Sequence, residues 1–524
     1  MIPFDAFVHV VSDAGSVQVS GTPRFFRGHR LPRSDGGCPD GVFADWQWDG
    51  ERLIVRNDRY GAAPLFYWCD RSQVCVSPSL LAILQRGAPV EFDAAGLAAF
   101  FRLGYFLGED TPFAHIRTVP PGSSLVWENG RLTGFGQRPR VTATATQREE
   151  AIDGFIALCR QSVRRRLPAG DAVVMPLSSG RDSRHILYEL EAAGVRPQCV
   201  TVPRFAPRPG EDERIAPLVA AAAGLPHALL TQTTSRCAAE VRKNWATHLC
   251  ADEHAWYMAV ADALRGRAHV MYDGLGGALS VPNRYHSFAA LDLIDRGLTA
   301  RLADQLITDY GVQSESFLRQ VLRPEMYAEL SRERAVERLA AELARHQAAP
   351  DPIKSFNFWN RIRRELALWP YAILRSVPTV FTPYLDHDVY DFLMGIPPTV
   401  MSPTLSDGKA FHTLAVHRAF PQYTHVPFED KKAAKIDATA HNVRLTAEAS
   451  RFVLARARHA TRLLNRRFVL PRATYGVMRP SFGASRPWLP LASLYIMQLE
   501  MAAAGVIPDG EAIDADAATL PAAA

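Results

Sequence analysis

A run of small polar residues at 178–183, Ser-Ser-Gly-Arg-Asp-Ser, carries the strongest chemical signal in the sequence. The hydroxyl groups of Ser178, Ser179 and Ser183 can donate hydrogen bonds to phosphate oxygens. Asp182 supplies the kind of carboxylate that holds Mg²⁺ beside a pyrophosphate leaving group. The run therefore predicts a phosphate-binding site, and the alternative is a capped strand-to-helix turn that binds no ligand.

The elements around this run would place it against a ligand. Residues 172–177 form an apolar stretch typical of a buried strand, and residues 184–193 have the pattern of a helix. Backbone N–H groups at a helix start, together with the helix dipole, form an anion site. Gly180 permits close approach of the backbone, and Arg181 can contact phosphate. Arg184 is either a second phosphate contact or a surface residue.

Strands and helices alternate along the middle of the chain. Strand-like runs at 198–202 and 268–272 are separated by an alanine-rich helical segment at 213–223. This alternation predicts a parallel sheet with helices on its faces. Residues 288–501 have mostly helical patterns, so the sheet is expected to be followed by a helical region.

The first 136 residues have a different character. Short β-rich runs are separated by turn residues such as Asp49-Gly50, and a helical patch lies near residues 94–101. We expect a small, sheet-rich domain here.

The run at 178–183 resembles the PP-loop, S-G-G-x-D-S, of ATP pyrophosphatases, with Ser179 in place of the first glycine. No Gly-Lys-Ser/Thr follows it, so it is not a Walker-type loop. Other segments resemble, in the same order, those of the asparagine synthetase family: 41–46, 57–67, 120–122, 383–389, 407–409 and 431–432. The resemblance extends from about Gly41 to Lys432 and covers most of the chain.

The resemblance implies an α/β fold in three parts. A degenerate Ntn-hydrolase-like, glutaminase-like β-rich sandwich is expected over residues 1–140. A parallel-sheet, adenine-nucleotide α-hydrolase-like (PP-loop) domain with a helical C-terminal elaboration would follow over 141–505, and a flexible tail over 506–524.

It also implies ATP and Mg²⁺ as cofactors. Residues 178–183 would bind the triphosphate, Asp182 would hold the metal, and Val200 and Val202 would border the adenine. Gly274, after the third predicted strand, would lie beside the nucleotide.

Two further groups are candidate catalytic residues. Lys431 or Lys432 would stabilise the charge that develops during adenylation and acyl transfer, and the alternative is a solvated lysine pair. Asp273 could supply a second carboxylate, although an Asp before a glycine is also a common turn residue.

The sequence departs from the family in two further respects. A glutaminase of this family needs a cysteine after the initiator Met, whereas position 2 is Ile2; we therefore expect the nitrogen to come from ammonia or from an amine on the substrate. Ala278 stands where the family has a second Mg²⁺-binding Asp, and Leu275 occupies the variable position before it.

The roles of two other segments are left open by the sequence. Asp212 and Glu213 are expected to favour the start of a helix rather than to do chemistry. The stretch 357–371, with arginines among aromatic residues, is interpreted as helix packing or, alternatively, as part of an acceptor pocket.

The function that the resemblance implies is an ATP-dependent carbon–nitrogen ligase that releases AMP and pyrophosphate. Its substrate would be a small molecule or peptide with a carboxylate and an amine. In lacking the cysteine, the chain is similar to the β-lactam synthetases and the lasso-peptide macrolactam cyclases. A cyclase would have a precursor peptide and its leader protease as partners. Ammonia-dependent asparagine synthetase-like or sugar-amide ligases, and a catalytically inactive nucleotide-binding scaffold, are the alternatives.

Composition and charge narrow the possible partners and the cellular location of the protein. The formal net charge of +5 is too small to favour nucleic acid as the main partner, and no apolar stretch is long enough for a membrane span. Seven scattered cysteines with no CxxC pair and no signal-peptide pattern predict a cytoplasmic protein. The arginine-rich run 451–479 is interpreted as a solvated face, with contact to an acidic partner or a membrane surface as the alternative.

Overall fold

The computed structural model describes residues 6–13, 16–33, 38–134, 136–168, 170, 172–207, 210–405, 410–430, 437–483 and 485–508. These residues form a mixed α/β structure with two antiparallel sheets and one parallel sheet. No helix among them is both long enough and apolar enough to span a bilayer.

The two antiparallel sheets come from the first quarter of the chain. Their strands are β1 Val8–Asp13, β2 Ser16–Gly21, β3 Arg24–Gly28, β4 Phe43–Trp48, β5 Leu53–Asn57, β6 Phe66–Cys69, β7 Gln73–Ser77, β8 Arg117–Thr118, β9 Ser124–Glu128 and β10 Arg131–Thr133. One sheet has the order β2-β1-β7-β6-β8 and the other the order β10-β9-β5-β4-β3.

Side-chain alternation sends one face of each antiparallel sheet into a shared core. Val8 and Val74 from the first sheet lie in the same apolar cluster as Trp46 and Trp127 from the second. The Asp49-Gly50 turn joins β4 to β5: Oδ1 of Asp49 accepts the N–H groups of Glu51 and Arg52, and Gly50 has φ +110°. The predicted sheet-rich region is therefore present.

The third sheet is parallel and has five strands. They are β11 Val173–Pro176, β12 Gln198–Thr201, β13 His227–Leu229, β14 Val270–Tyr272 and β15 Thr379–Phe381, in the order β13-β12-β11-β14-β15. Three of these strands match the predicted runs. Strands β13 and β15 have no predicted counterpart; each has three residues, as does β14, which was predicted from the longer run 268–272 in which it lies.

Helices surround the sheets and form most of the second half of the chain. They are α1 Leu80–Gln85, α2 Ala94–Leu103, α3 Arg148–Arg165, α4 Asp182–Ala192, α5 Glu211–Ala222, α6 Arg236–Ala246, α7 Met258–Leu264, α8 Phe288–Asp295, α9 Thr299–Tyr310, α10 Glu315–Val321, α11 Pro324–Glu329, α12 Arg332–Ala344, α13 Pro352–Asn357, α14 His387–Gly395, α15 Pro398–Met401, α16 Ala410–Ala419, α17 Thr439–Ala455, α18 Arg466–Met478 and α19 Trp488–Ala503. Between α13 and α14, residues Phe358–Leu366 and Trp369–Ile373 are π-helical.

A buried cluster of charges ties the antiparallel sheets to the parallel sheet. The guanidinium of Arg166, which follows α3, donates to Asp40 at 2.6 Å and to Asp386 at 2.7 Å. All three side chains are nearly inaccessible, and burial raises the pKa of Asp40 to about 6. Because an unpaired buried charge is costly, this cluster fixes the two parts of the chain against each other.

Candidate functional site

A cavity of about 200 Å³ lies at the carboxyl ends of β11, β12 and β14. The chain order of the strands reverses between β11 and β14, which lie side by side at the centre of the parallel sheet. In open parallel sheets, ligands bind in the crevice at such a reversal. The location is therefore the one at which a ligand site is expected from the topology alone.

The predicted run at 178–183 forms one wall of this cavity. Ser178 and Ser183 line it, and their hydroxyl oxygens lie 3.1 Å apart. The backbone N–H of Ser178 donates to Oγ of Ser183 at 3.2 Å, and that of Gly180 donates to Oγ of Ser178 at the same distance. Helix α4 begins at Asp182, so its free N–H groups are directed toward the same space.

Ser179 is held from behind by Asp212, in the first turn of α5. Oδ1 of Asp212 accepts the backbone N–H of Ser179 at 2.9 Å and its hydroxyl at 2.6 Å. Oδ2 accepts from Nε of Arg204 at 3.0 Å. Asp212 itself lines the cavity, so its role extends beyond the helix start that the sequence suggested.

Asp182 presents a carboxylate at the cavity wall. Its side chain is 43% exposed, and Oδ1 lies 3.3 Å from Nδ1 of His412. A Cβ on Gly277 would lie only 2.4 Å from Cγ of Asp182, and one on Gly274 would lie 2.9 Å from its Cβ. The glycines after β14 are therefore needed so that the backbone can pass beside Asp182.

Asp273, at the end of β14, is buried and lines the cavity. Oδ1 accepts the backbone N–H of Leu275 at 2.8 Å, as in a turn, and Oδ2 accepts the indole N–H of Trp369 at 2.7 Å. Burial, with a smaller contribution from Asp182, raises the pKa of Asp273 to about 6. The turn role and the site role of Asp273 are thus both present.

The opposite wall is apolar and aromatic. The rings of Tyr257 and Trp369 stack at 3.5 Å with an interplanar angle of 18°. Val200 and Val202 line the cavity with them. Burial raises the pKa of Tyr257 to about 12, so this ring stays neutral. The wall suits a planar, weakly polar group.

The structure brings most of the predicted site residues together. Those that line the cavity are Ser178, Asp182, Ser183, Val200, Val202, Asp273 and Gly274. Ser179 and Gly180 lie behind the wall as part of its loop. The predicted lysines, Lys431 and Lys432, and the segment 407–409 lie outside the described residues, as does Ile2.

Two predicted phosphate contacts are directed elsewhere. Nε of Arg181 donates to Thr413 at 2.5 Å, and its guanidinium lies 4.3 Å from the centre of the Phe428 ring. Arg184 is buried and donates to the carbonyl oxygens of Val426 and Pro427 at 2.9 and 2.6 Å. The interpretation of Arg184 as a surface residue is therefore wrong, because it anchors the segment that follows α16.

Sequence reasoning missed several residues of the site. Tyr257 and His412 gave no motif signal, since each reaches the cavity or its loop only through the fold. Trp369 belongs to the stretch 357–371, for which a pocket was the alternative interpretation; Trp369 and Leu366 do line the cavity. His254 lines the cavity as well, with φ +86° at a position beyond the end of α6.

A second cavity of about 270 Å³ adjoins the first, and both are lined by His254 and Trp256. Its other walls carry charges of both signs: Arg204, Arg236, Lys243, Glu240, Asp252 and Glu253. Nζ of Lys243, almost fully buried, donates to the carbonyl oxygens of Ala251 and Asp252 at 2.8 and 3.0 Å. This cavity suits a ligand that bears both a positive and a negative group.

Comparison with known proteins gives one family match. Residues 39–138 match the model of a glutamine amidotransferase domain. No curated protein matches the chain.

Two solved structures are similar to part of the chain. The allosteric regulatory enzyme of purine biosynthesis is 14% identical, with 36% of this chain and 47% of that one covered and a TM-score of 0.15. Glutamine phosphoribosylpyrophosphate amidotransferase from B. subtilis, complexed with ADP and GMP, is 14% identical, with 46% and 44% covered and a TM-score of 0.14. The chain thus spans less than half the length of each. What the comparisons establish is a segment similar to glutamine amidotransferase domains, within the antiparallel sheets.

Proposed function

We propose that the protein is an ATP-dependent, amide-bond-forming ligase of the asparagine synthetase type. The observation that carries the proposal is the cavity at the carboxyl ends of β11, β12 and β14, where the loop 178–183 faces an aromatic wall. The adjoining cavity, with charges of both signs, would hold the substrate. The glutamine amidotransferase match over residues 39–138 supports the proposal, because such domains accompany enzymes that form carbon–nitrogen bonds.

The first cavity suits ATP in the chemistry of its walls as well as in its position at the end of the parallel sheet. The hydroxyl groups of Ser178 and Ser183 and the N–H groups that begin α4 would bind phosphate oxygens. The two serine hydroxyls now contact each other, so they would exchange that contact for the ligand. Val200, Val202 and the stacked Tyr257–Trp369 pair would enclose the base.

The residues at the cavity also fit Mg²⁺ as it usually occurs with nucleotides. Mg²⁺ commonly takes one or two protein carboxylates together with phosphate oxygens and water. Asp182 is the exposed carboxylate that would hold it, and Asp273 has oxygen lone pairs left beyond its two hydrogen bonds. When bound, the metal would neutralise charge on the phosphates.

The reaction we propose has two steps. A substrate carboxylate oxygen attacks the α-phosphorus of ATP, the α–β phosphoanhydride bond breaks, and pyrophosphate leaves. An amine then attacks the acyl carbon, AMP leaves with the bonding electrons, and the proton of the amine passes to a base. Within this class we propose macrolactam closure of a lasso-type peptide, since the second cavity suits a substrate with both a carboxylate and an amine. A precursor peptide and its leader protease would then be partners; Lys431 and Lys432 stay predicted catalytic residues.

A second candidate is a nucleotide-binding scaffold without turnover. Ala278, in the short turn Gly277–Ser280, leaves that position without a carboxylate, and the carboxylate of Asp182 already has His412 as a neighbour. This candidate predicts tight ATP binding with no release of pyrophosphate.

The test is pyrophosphate exchange into ATP·Mg²⁺ with a panel of carboxylates, with ammonium, glutamine or hydroxylamine as the nitrogen source. We expect exchange with at least one carboxylate, loss of it in Asp182→Ala, and no stimulation by glutamine. Asp153→Ala is the matched control, since Asp153 is an exposed aspartate on α3 that pairs with Arg418. ATP binding without exchange would favour the scaffold, and release of ADP and phosphate would exclude the proposed chemistry.

A further inference from the structure

A third cavity lies between α17, α18 and α19, apart from the site described above. Its volume is about 50 Å³, and its floor is formed by small and aliphatic residues such as Ala449, Val453, Val469 and Ala473. Gly476 permits close packing here, because a Cβ at that position would lie 2.4 Å from Oγ of Ser450. At roughly 10–15 Å³ for each water-sized group, the cavity admits about four heavy atoms, the size of a leucine side chain.

Two arginines, Arg472 and Arg486, complete the walls, and the cavity lining contains no acidic residue from the part of the chain that the structure describes. Both side chains are exposed. Arg472 is held in place because its guanidinium lies 3.6 Å from the centre of the Phe468 ring and donates to the carbonyl oxygen of Phe468. The cavity with these two residues is called the arginine-flanked pocket below.

The chain segment that carries most of α17 and all of α18 is strongly basic. Residues 444–486 contain ten arginines, no lysine or aspartate, and one glutamate, Glu448, which pairs with Arg444 at 2.7 Å. The net charge of this segment is therefore +9, whereas the whole chain has +5, so the rest of the chain is net negative. Nine of the ten arginines are exposed. Charge concentrated in this way, on a chain that is otherwise acidic, favours an anionic partner.

Large apolar side chains are exposed on the same helices. Met478, at the end of α18, is 73% exposed, and Trp488, at the start of α19, is 42% exposed. Both helices contribute to the arginine-flanked pocket. Exposed aromatic, methionine and arginine side chains are the types enriched in protein interfaces.

We propose that the arginine-flanked pocket binds an acidic peptide segment of a partner protein. One aliphatic side chain of the segment occupies the cavity, and carboxylates beside it pair with Arg472 and Arg486, whose planar guanidinium groups suit carboxylates. A nucleic acid supplies no aliphatic group for a recess of this size. A bilayer surface would contact the exposed Met478 and Trp488, but it would leave the recess unfilled.

The test is fluorescence anisotropy with a short labelled peptide, rich in Asp and Glu, that has a single central leucine. The full-length protein is titrated into it. We expect saturable binding that weakens about tenfold or more in the double variant Arg472→Glu/Arg486→Glu. The matched control, Arg301→Glu/Arg334→Glu, makes the same change in net charge at exposed arginines of α9 and α12 and should bind like the unaltered protein.

Two further arms test the recess itself. A peptide with serine in place of the leucine should bind about tenfold more weakly, as should the leucine peptide to Ala473→Leu, which fills the cavity and keeps every charge. Equal loss in both double variants would overturn the proposal in favour of net charge alone. Tighter binding to phosphatidylserine vesicles or single-stranded DNA than to the peptide would overturn it in favour of those partners. Peptide binding that appears only after removal of residues 509–524, which carry four acids and no base, would assign the pocket to the chain's own segment.

Discussion

Replacing Asp212 separates two roles that the sequence does not distinguish. Asp212 lies in the first turn of α5, where any negative charge is favourable, and it also binds Ser179 through two hydrogen bonds. Glu213, the next residue, lies beside Gly210 at the same helix end. Glu213→Gln therefore removes a helix-end charge, whereas Asp212→Ala removes a helix-end charge and the support of the loop.

The expected magnitudes differ enough to be measured. A charge in the first turn of a helix is worth about 0.3–1 kcal/mol, which is the expected cost of Glu213→Gln. Hydrogen bonds to a carboxylate contribute about 1.5–3 kcal/mol each. The two bonds of Ser179 share one oxygen, so we expect about 2–3 kcal/mol for Asp212→Ala. Asp212→Asn keeps an acceptor for Ser179 but turns an N–H₂ toward Arg204, and should cost about half as much.

The assay combines thermal unfolding with titration of a fluorescent ATP analogue. Because Ser179 shares its loop with Ser178 and Asp182, loss of the support should also weaken nucleotide binding by about tenfold in Asp212→Ala, and little in Glu213→Gln. An Asp212→Ala protein that is no less stable than Glu213→Gln, and that binds the analogue equally well, would refute the loop-support role.

Three other outcomes follow from the structure. Gly277→Ala should weaken binding of ATP·Mg²⁺ by about tenfold or more, since its Cβ would displace the Asp182 carboxylate. Gly180→Ala, whose Cβ would meet only Oγ of Ser178 at 3.2 Å, should change this affinity less than about twofold. Equal losses in the two variants would show that Gly180 matters for binding as much as Gly277 does. The pKa of Asp273 is about 6 in the folded protein, above its unfolded value, so its contribution to stability falls as pH rises from about 4 to about 6. Across that range, the free energy of unfolding of Asp273→Asn, measured with denaturant, should rise by about 2–3 kcal/mol relative to that of the unaltered protein. Parallel curves of this free energy against pH would contradict the assignment. Arg166→Met should lower the free energy of unfolding by about 3–5 kcal/mol, because it leaves Asp40 and Asp386 buried without their partner. Adding Asp40→Asn should recover part of that loss. If calorimetry shows no recovery, packing and not charge explains the cost.

The parts of the site that sequence predicted are those that lie on a continuous stretch of chain. The residues Ser178 to Ser183 follow an apolar run and open a helix, so local rules place both the strand β11 and the loop. Val200 and Asp273 follow from the same logic at the ends of β12 and β14. Parallel strands put their carboxyl ends at one edge, which brings these residues together without any motif.

The parts that sequence did not predict depend on long-range packing. Trp369 reaches Asp273 across 96 positions of the chain, and His412 reaches Asp182 across more than two hundred. Nothing in the local pattern of either residue distinguishes it from core packing. Arg184 was misjudged for the same reason. Its position at a helix start is typical of a solvated or phosphate-binding residue, but its side chain is buried and donates to two carbonyl groups of the segment beyond α16.

The packing of Asp182 connects these observations to the choice between ligase and scaffold. Gly277 gives its carboxylate room, since a Cβ at that position would lie 2.4 Å from Cγ of Asp182. With Ala278 unable to supply a ligand, Asp182 and Asp273 are the described carboxylates that line the cavity beside the loop, apart from Asp212, which is occupied by Ser179 and Arg204. A metal held by Asp182 would share this carboxylate with His412, whose Nδ1 lies 3.3 Å from Oδ1. An accessible Asp182 carboxylate would serve ATP·Mg²⁺ binding in the ligase and in the scaffold alike, so release of pyrophosphate, and not nucleotide binding, is the measurement that separates the two candidates.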